Sequence, residues 1–208
     1  MKNTKNRNNR LDAHFAICAV AMATGAAVGT ANATVIYSGP VNIVVPVTID
    51  GIYINVQTGA WSSTTSTPAG WDVNPYGTSS TAVSLYAATG TGYMRNPDAE
   101  TSTGRTNLSV GTIVGSTSFF YGSSSATIGT LVGQWSANSS GFFGFKFLAA
   151  DALTHYGWMR LSIGANAGTR TIVDYAWEDV AGTSIVVPAP GAMALIGLAG
   201  FWKRRRRS

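Results

Sequence analysis

The chain has 208 residues, a net charge of +5 and an isoelectric point near 9.6, a balance that first suggests an anionic partner. Placement of the charges removes that reading. Lys2, Lys5, Arg7 and Arg10 open the chain and Lys203, Arg204, Arg205, Arg206 and Arg207 close it, so nine of the fourteen cations are terminal. Residues 34–186 keep five cations against eight acids, about −3 net, which excludes a phosphate-collecting surface and nucleic acid as a partner.

The first 33 residues have three parts. A basic start is followed by an apolar stretch of small residues from Ala13 to Val28, then by Ala31-Asn32-Ala33. This is the order of an export signal cut after a small-x-small site, and the stretch is shorter than the ~20 residues that span a bilayer. Cleavage is expected after Ala33, with the export machinery as the first partner. Cys18 is the single cysteine. It follows Phe15, Ala16 and Ile17 rather than the small residues of a lipid-attachment site, so it leaves with the signal. The mature chain then has neither disulfide nor thiol nucleophile.

Residues 34–186 carry a period of two. Ile52, Ile54 and Val56 fall on one face, as do Phe143, Phe145 and Phe147. Tyr156, Trp158 and Arg160 alternate with Gly157, Met159 and Leu161, and Val173, Tyr175 and Trp177 with Asp174 and Ala176. Alternation of β-branched and aromatic residues suits a half-buried pleated surface. Turn formers separate the runs: Ser38-Gly39-Pro40, Ser62 to Gly70, Asn74-Pro75-Tyr76-Gly77, Gly122 to Ser125, and Ala165 to Thr169. Pro46 places its strand at an edge or a bulge. Phe147 to Thr154 reads equally as a short helix or a loop. The expected fold is all-β, a single antiparallel β-sandwich or jelly-roll-like domain over residues 34–186. A signal helix (1–33) and a hydrophobic sorting helix (187–208) flank it.

Chemistry is sparse in this body. His155 is its only histidine and reads as the opening residue of a strand. A triad of His155, Asp174 and a serine can be assembled only on paper, since no Gly-x-Ser-x-Gly elbow nominates the serine. Asp98/Glu100 and Glu178/Asp179 are local carboxylate pairs. A glycosidase sets its pair across a cleft, so these read as solvated loop acids, and Asp174 as a partner of turn amides. No catalytic residue, metal-ligand set or cofactor is assigned. Trp158 and Trp177 alternate cleanly and read as core. Trp61, Trp71 and Tyr76 sit in loop-like surroundings and are the candidate contacts to a sugar face, through apolar and CH–π contact.

The end of the chain reads Val187-Pro188-Ala189-Pro190, an apolar run from Gly191 to Trp202, then Lys203 to Arg207. The run has 12 residues, about 18 Å as a helix against a bilayer core of about 30 Å. The basic cluster stays cytoplasmic, so the run gives transient membrane association with the body outside. This order resembles the PEP-CTERM sorting tail of exported bacterial proteins, in its Pro-Ala-Pro variant, with Ala189 where the family usually has Glu. The resemblance implies recognition by an exosortase-type membrane protease, removal of the tail and delivery to the cell surface or extracellular matrix. Gly144-Phe145-Lys146-Phe147, His155 to Leu161 and Ile172 to Glu178 are similar to strands recurring in bodies of that family, which implies a fold and an address but no active site.

Three readings follow. The first is an exported, non-enzymatic structural or adhesive β-sandwich. The second is a carbohydrate-binding module contacting extracellular polysaccharide, and the third a polysaccharide-active hydrolase. The mature surface form is expected to lack Lys203 to Arg207. An intact mass that retains the cluster would show that the tail is not removed.

Overall fold

A computed structural model describes residues 33–95, 107–127 and 134–189. Ala31, Cys18, Asp98, Glu100, Pro190 and Lys203 to Arg207 lie outside the described residues, as do both expected terminal helices. The described strands are β1 (Val35–Tyr37), β2 (Ile43–Val44), β3 (Tyr53–Ile54), β4 (Trp61–Ser62), β5 (Val73–Tyr76), β6 (Ala82–Ala87), β7 (Gly92–Met94), β8 (Ile113–Val114), β9 (Phe120–Tyr121), β10 (Ser123–Thr127), β11 (Ser139–Leu148), β12 (Thr154–Ile163), β13 (Arg170–Glu178) and β14 (Ile185–Val186). The fold is all-β and every strand pair is antiparallel.

A seven-stranded sheet runs β1-β13-β12-β11-β7-β9, with β2 also on β13. A five-stranded sheet runs β10-β6-β5-β3-β4, and β8 and β14 form a two-stranded ribbon. The long hairpin β11–β12 supplies the frame. Phe143, Phe145 and Phe147 point to one face with Met159 and Leu161, and pack in one core with Ile54, Val73, Val83 and Leu85 of the five-stranded sheet. Each buried phenylalanine contributes about 1.5–3 kcal/mol. Phe142, Trp158 and Ala176 point to the opposite face, where Val114, Ile185 and Val187 of the ribbon region cover them. The seven-stranded sheet is thus buried on both faces, which is why its alternating positions are apolar in both registers.

Local chemistry decides several elements. The segment Phe147 to Thr154 is a hairpin turn, closed by Ala149 N–H to Leu153 O at 3.1 Å, so the loop alternative holds. β2 lies on the sheet's edge and stops before Pro46, as the proline requires. Arg170 is buried and donates from Nη2 to the carbonyls of Pro46 and Gly77. A bulge at Val173 shifts the β12–β13 register after Arg160, and the Val173 carbonyl accepts from both Val41 and Asn42 N–H.

Two expected turns are strands. Asn74-Pro75-Tyr76 belongs to β5, and Ser123 to Thr127 is β10, paired with β6. Pro75 fits inside the sheet because the β3–β5 ladder is already ending there. Ile54 and Val73 are its one register pair, and the Pro75 carbonyl still accepts from Ile52 N–H at 3.0 Å. Gly51, at φ +58°, lies so close to that carbonyl that a Cβ would collide with it. Val187, placed by sequence in the tail, belongs to the second core: its N–H donates to Thr112 O and its carbonyl accepts from Gly111 N–H, both at 2.9 Å.

Tyr93 of β7 reaches across the main core into the other sheet. Its hydroxyl donates to Tyr86 O at 2.6 Å and accepts from Asn74 N–H at 3.0 Å. Asn74 and Tyr86 are register partners of β5 and β6, so the hydroxyl is built into their ladder. Tyr93→Phe strands a buried donor and a buried acceptor together, and is expected to cost about 1–3 kcal/mol. The check is a lower urea midpoint with an unchanged slope.

Candidate functional site

The register of the five-stranded sheet sorts its aromatics. Ile54, Val73 and Ala87 point inward to the shared core, so Tyr53, Asn74, Tyr76, Ser84 and Tyr86 point outward. Trp71 precedes β5 and joins this outer group. Its ring meets Tyr53 edge-on at 5.0 Å and stacks on Tyr86 at 6.0 Å with 29° between planes. Tyr86 is 51% exposed, whereas Asn74 opposite it is buried and donates from Nδ2 to Asp50 O at 2.6 Å. Burial and then the Asp50 carboxylate raise the Tyr53 pKa, with smaller contributions from Tyr86 and Tyr76, which keeps the hydroxyl protonated.

The loop before β5 is fixed by its own polar bonds. Trp71 N–H donates to Pro68 O, Asp72 N–H to Ile54 O, and Asn55 Nδ2 to Ala69 O. Trp71 is therefore held in place before any ligand arrives, which lowers the ordering cost of a contact.

Trp61 lies elsewhere. It opens β4 as the register partner of inward-facing Ile54, so it points to the opposite side of the sheet from Trp71. With Ile36, Val41, Gln57, Tyr175 and Trp177 it lines a cleft of about 400 Å³. Trp61 is 52% exposed there, and Trp177 is buried with an indole N–H that has no acceptor among the described residues. The three residues predicted as sugar contacts thus do not share a surface, and only Trp71 sits in a loop. Tyr76 ends β5 and Trp61 starts β4. Sequence reading missed Tyr53 and Tyr86, although Leu85 and Tyr86 already alternate in the SLYA stretch.

The titratable groups are separated in the same way. His155 shares a face with Gly157 and Phe147, whereas Asp174 pairs with Arg160 on the other face of the sheet. His155 Nδ1 is 2.8 Å from Glu178 O and its Nε2 is 3.1 Å from Asp151 Oδ2. Asp174 is buried in a strand, not set in a turn. It accepts from Arg160 Nε at 3.0 Å, from Arg160 Nη2, and from the Tyr37 hydroxyl at 2.9 Å. Burial, then the bond to Asp174, pushes Tyr37 up to about 12. The paper triad is therefore not assembled. Glu178 ends β13 and is buried, not a solvated loop acid, whereas Asp179 stands just past the strand and is exposed. No group of three potential metal ligands gathers among the described residues.

No protein family, curated protein or solved structure is found to match the chain.

Asp72 lies under this site, with Oδ2 accepting from Val56 N–H at 2.9 Å. Burial outweighs that bond and raises its pKa from 3.8 to about 6. The folded chain then holds the proton more tightly than the unfolded one, so stability is greatest below about pH 4 and falls as pH rises to about 6. Asp72→Asn is expected to remove this decline and to gain about 2 kcal/mol at pH 7, less than the full shift implies because the carboxyl keeps some contact with water. Thermal melts from pH 4 to 7 check it: the two proteins converge at the acid end.

Proposed function

We propose that the chain is an exported, non-catalytic β-sandwich that acts as an adhesive element at the cell surface or in the extracellular matrix. Its contact is glycan laid on the outer aromatic face of the five-stranded sheet. One observation carries this reading: Tyr53, Trp71 and Tyr86 form a continuous, half-exposed aromatic surface whose loop is fixed in advance. Aromatic rings offer a flat apolar face with polar tips, which matches the alternating CH and OH faces of a pyranose. Tyr76 extends the same face.

The address comes from the chain ends. Ala33 is exposed, as a cleavage site needs to be, and Ala189 is exposed just past the locked Val187. A membrane protease acting beside Ala189 would meet an accessible residue.

The test is binding of the host's own extracellular polysaccharide, followed by melting temperature. A ligand specific to the folded state adds RT ln(1 + [L]/Kd), about 2.7 kcal/mol at one hundred times Kd. Trp71→Ala and Tyr86→Ala are each expected to weaken binding by tenfold or more, in the range of aromatic contact residues losing about 2 kcal/mol. Trp61→Ala should leave it within about twofold. The reverse pattern would move the site to the cleft, and no saturable shift in any protein would remove the glycan reading.

A further inference from the structure

The carboxylate pair Glu178/Asp179 is left without a role by everything above. Both residues stand where β13 ends against β1. Val35 and Glu178 are register partners, Asp179 N–H donates to Thr34 O at 3.2 Å, and Thr34 N–H donates to Asp179 Oδ1 at 2.7 Å. The neighbouring Glu178 carboxyl accepts from Val180 N–H at 3.5 Å. Glu178 is only 3% exposed. Burial first, and the adjacent Asp179 carboxyl with it, raise the Glu178 pKa. Among the described residues neither acid forms a salt bridge with lysine or arginine. One carboxylate thus holds a neutral amide with a second, buried acid beside it, an arrangement that lacks a cation.

Thr34 is the residue that follows the expected cleavage site. We propose that Glu178 and Asp179 form the seat of the mature amino terminus: cleavage after Ala33 converts the Thr34 amide nitrogen into an ammonium, and the two carboxylates hold it. The chemistry balances with water as the only co-reactant. A signal-peptidase-type protease adds the water oxygen to the Ala33 carbonyl, the C–N bond breaks, Ala33 leaves as a carboxylate, and the nitrogen leaves as an ammonium. The bond already present at 2.7 Å then becomes charge-assisted, about twice as strong as its neutral counterpart.

Fixing Thr34 fixes edge strand β1. Tyr37 on that strand reaches Asp174, and Ile36 lines the cleft. The uncut chain lacks the ion pair, so the precursor is less stable than the product. That order suits a chain that crosses a membrane before it folds.

The inference rests on the export reading, and the experiment separates the two. The exported protein is first sequenced from its amino terminus. A chain beginning at Thr34 and keeping its natural carboxy terminus is then prepared in detergent, with the amine free or acetylated. Acetylation restores a neutral amide like that of the precursor. The acetylated form is expected to melt about 2–4 °C lower. The free α-amino group should titrate above the usual range of about 7.7–8.0, read from the NMR signal of a 13C-methylated amine. Asp179→Asn, at a surface position, and Glu178→Gln should each shrink both effects. A Thr34 terminus with equal melting and an ordinary amine pKa overturns the proposal alone. A terminus at another residue overturns the cleavage reading and the proposal with it.

Discussion

The hydroxyl of Tyr93 is the constraint around which the rest is arranged. It belongs to one sheet and completes a hydrogen-bond ladder in the other. Hydrophobic burial is non-directional and would let two apolar sheets slide over one another. A buried hydroxyl with one donor and one acceptor to satisfy has a single acceptable position. It therefore sets the offset of the two sheets, and a chain without disulfides needs such a peg. The same bond ends on Tyr86, so the aromatic surface is registered to the core through one covalent side chain.

From that peg the asymmetry of the molecule follows. The five-stranded sheet buries one face and leaves the other wet, and its outer face is where tyrosines can stand with their hydroxyls in water. The seven-stranded sheet is covered twice. Its second face carries Phe142, Trp158 and Ala176 under the ribbon, with the Arg160–Asp174–Tyr37 cluster as the polar element of that layer. Asp174 is held in place by bonds that satisfy it fully, which suits a structural role at the β1 edge.

How much of this was legible depended on strand length. β11, β12 and β13 run nine or ten residues, long enough for a period of two to show, and it places Trp158 and Trp177 correctly; it fails at Val173, where the bulge puts Ile172 on the core face instead. β3, β4 and β5 run two to four, too short for any period. Pro75 and the serines of β10 spoke locally for turns, and only pairing with β6 overrides them. The candidate site suffered for the same reason. Trp61 and Trp71 are ten positions apart in similar Ser/Thr-rich sequence, and nothing in that sequence says that a strand boundary between them sends one side chain in and the other out. Tyr93 could not be foreseen, because an alternating tyrosine reads as core without revealing where its oxygen ends.

Val187 gives the body a mechanical property. Val187 is pinned by two bonds, to Gly111 and Thr112, and is buried in the same core as Trp158. Tension applied at Ala189 loads those two bonds first, then the two-residue pairing of β14 with β8, before it reaches the large sheets. The ribbon is a short fuse between Ala189 and the core: a pull can peel it without disturbing the aromatic face of the five-stranded sheet.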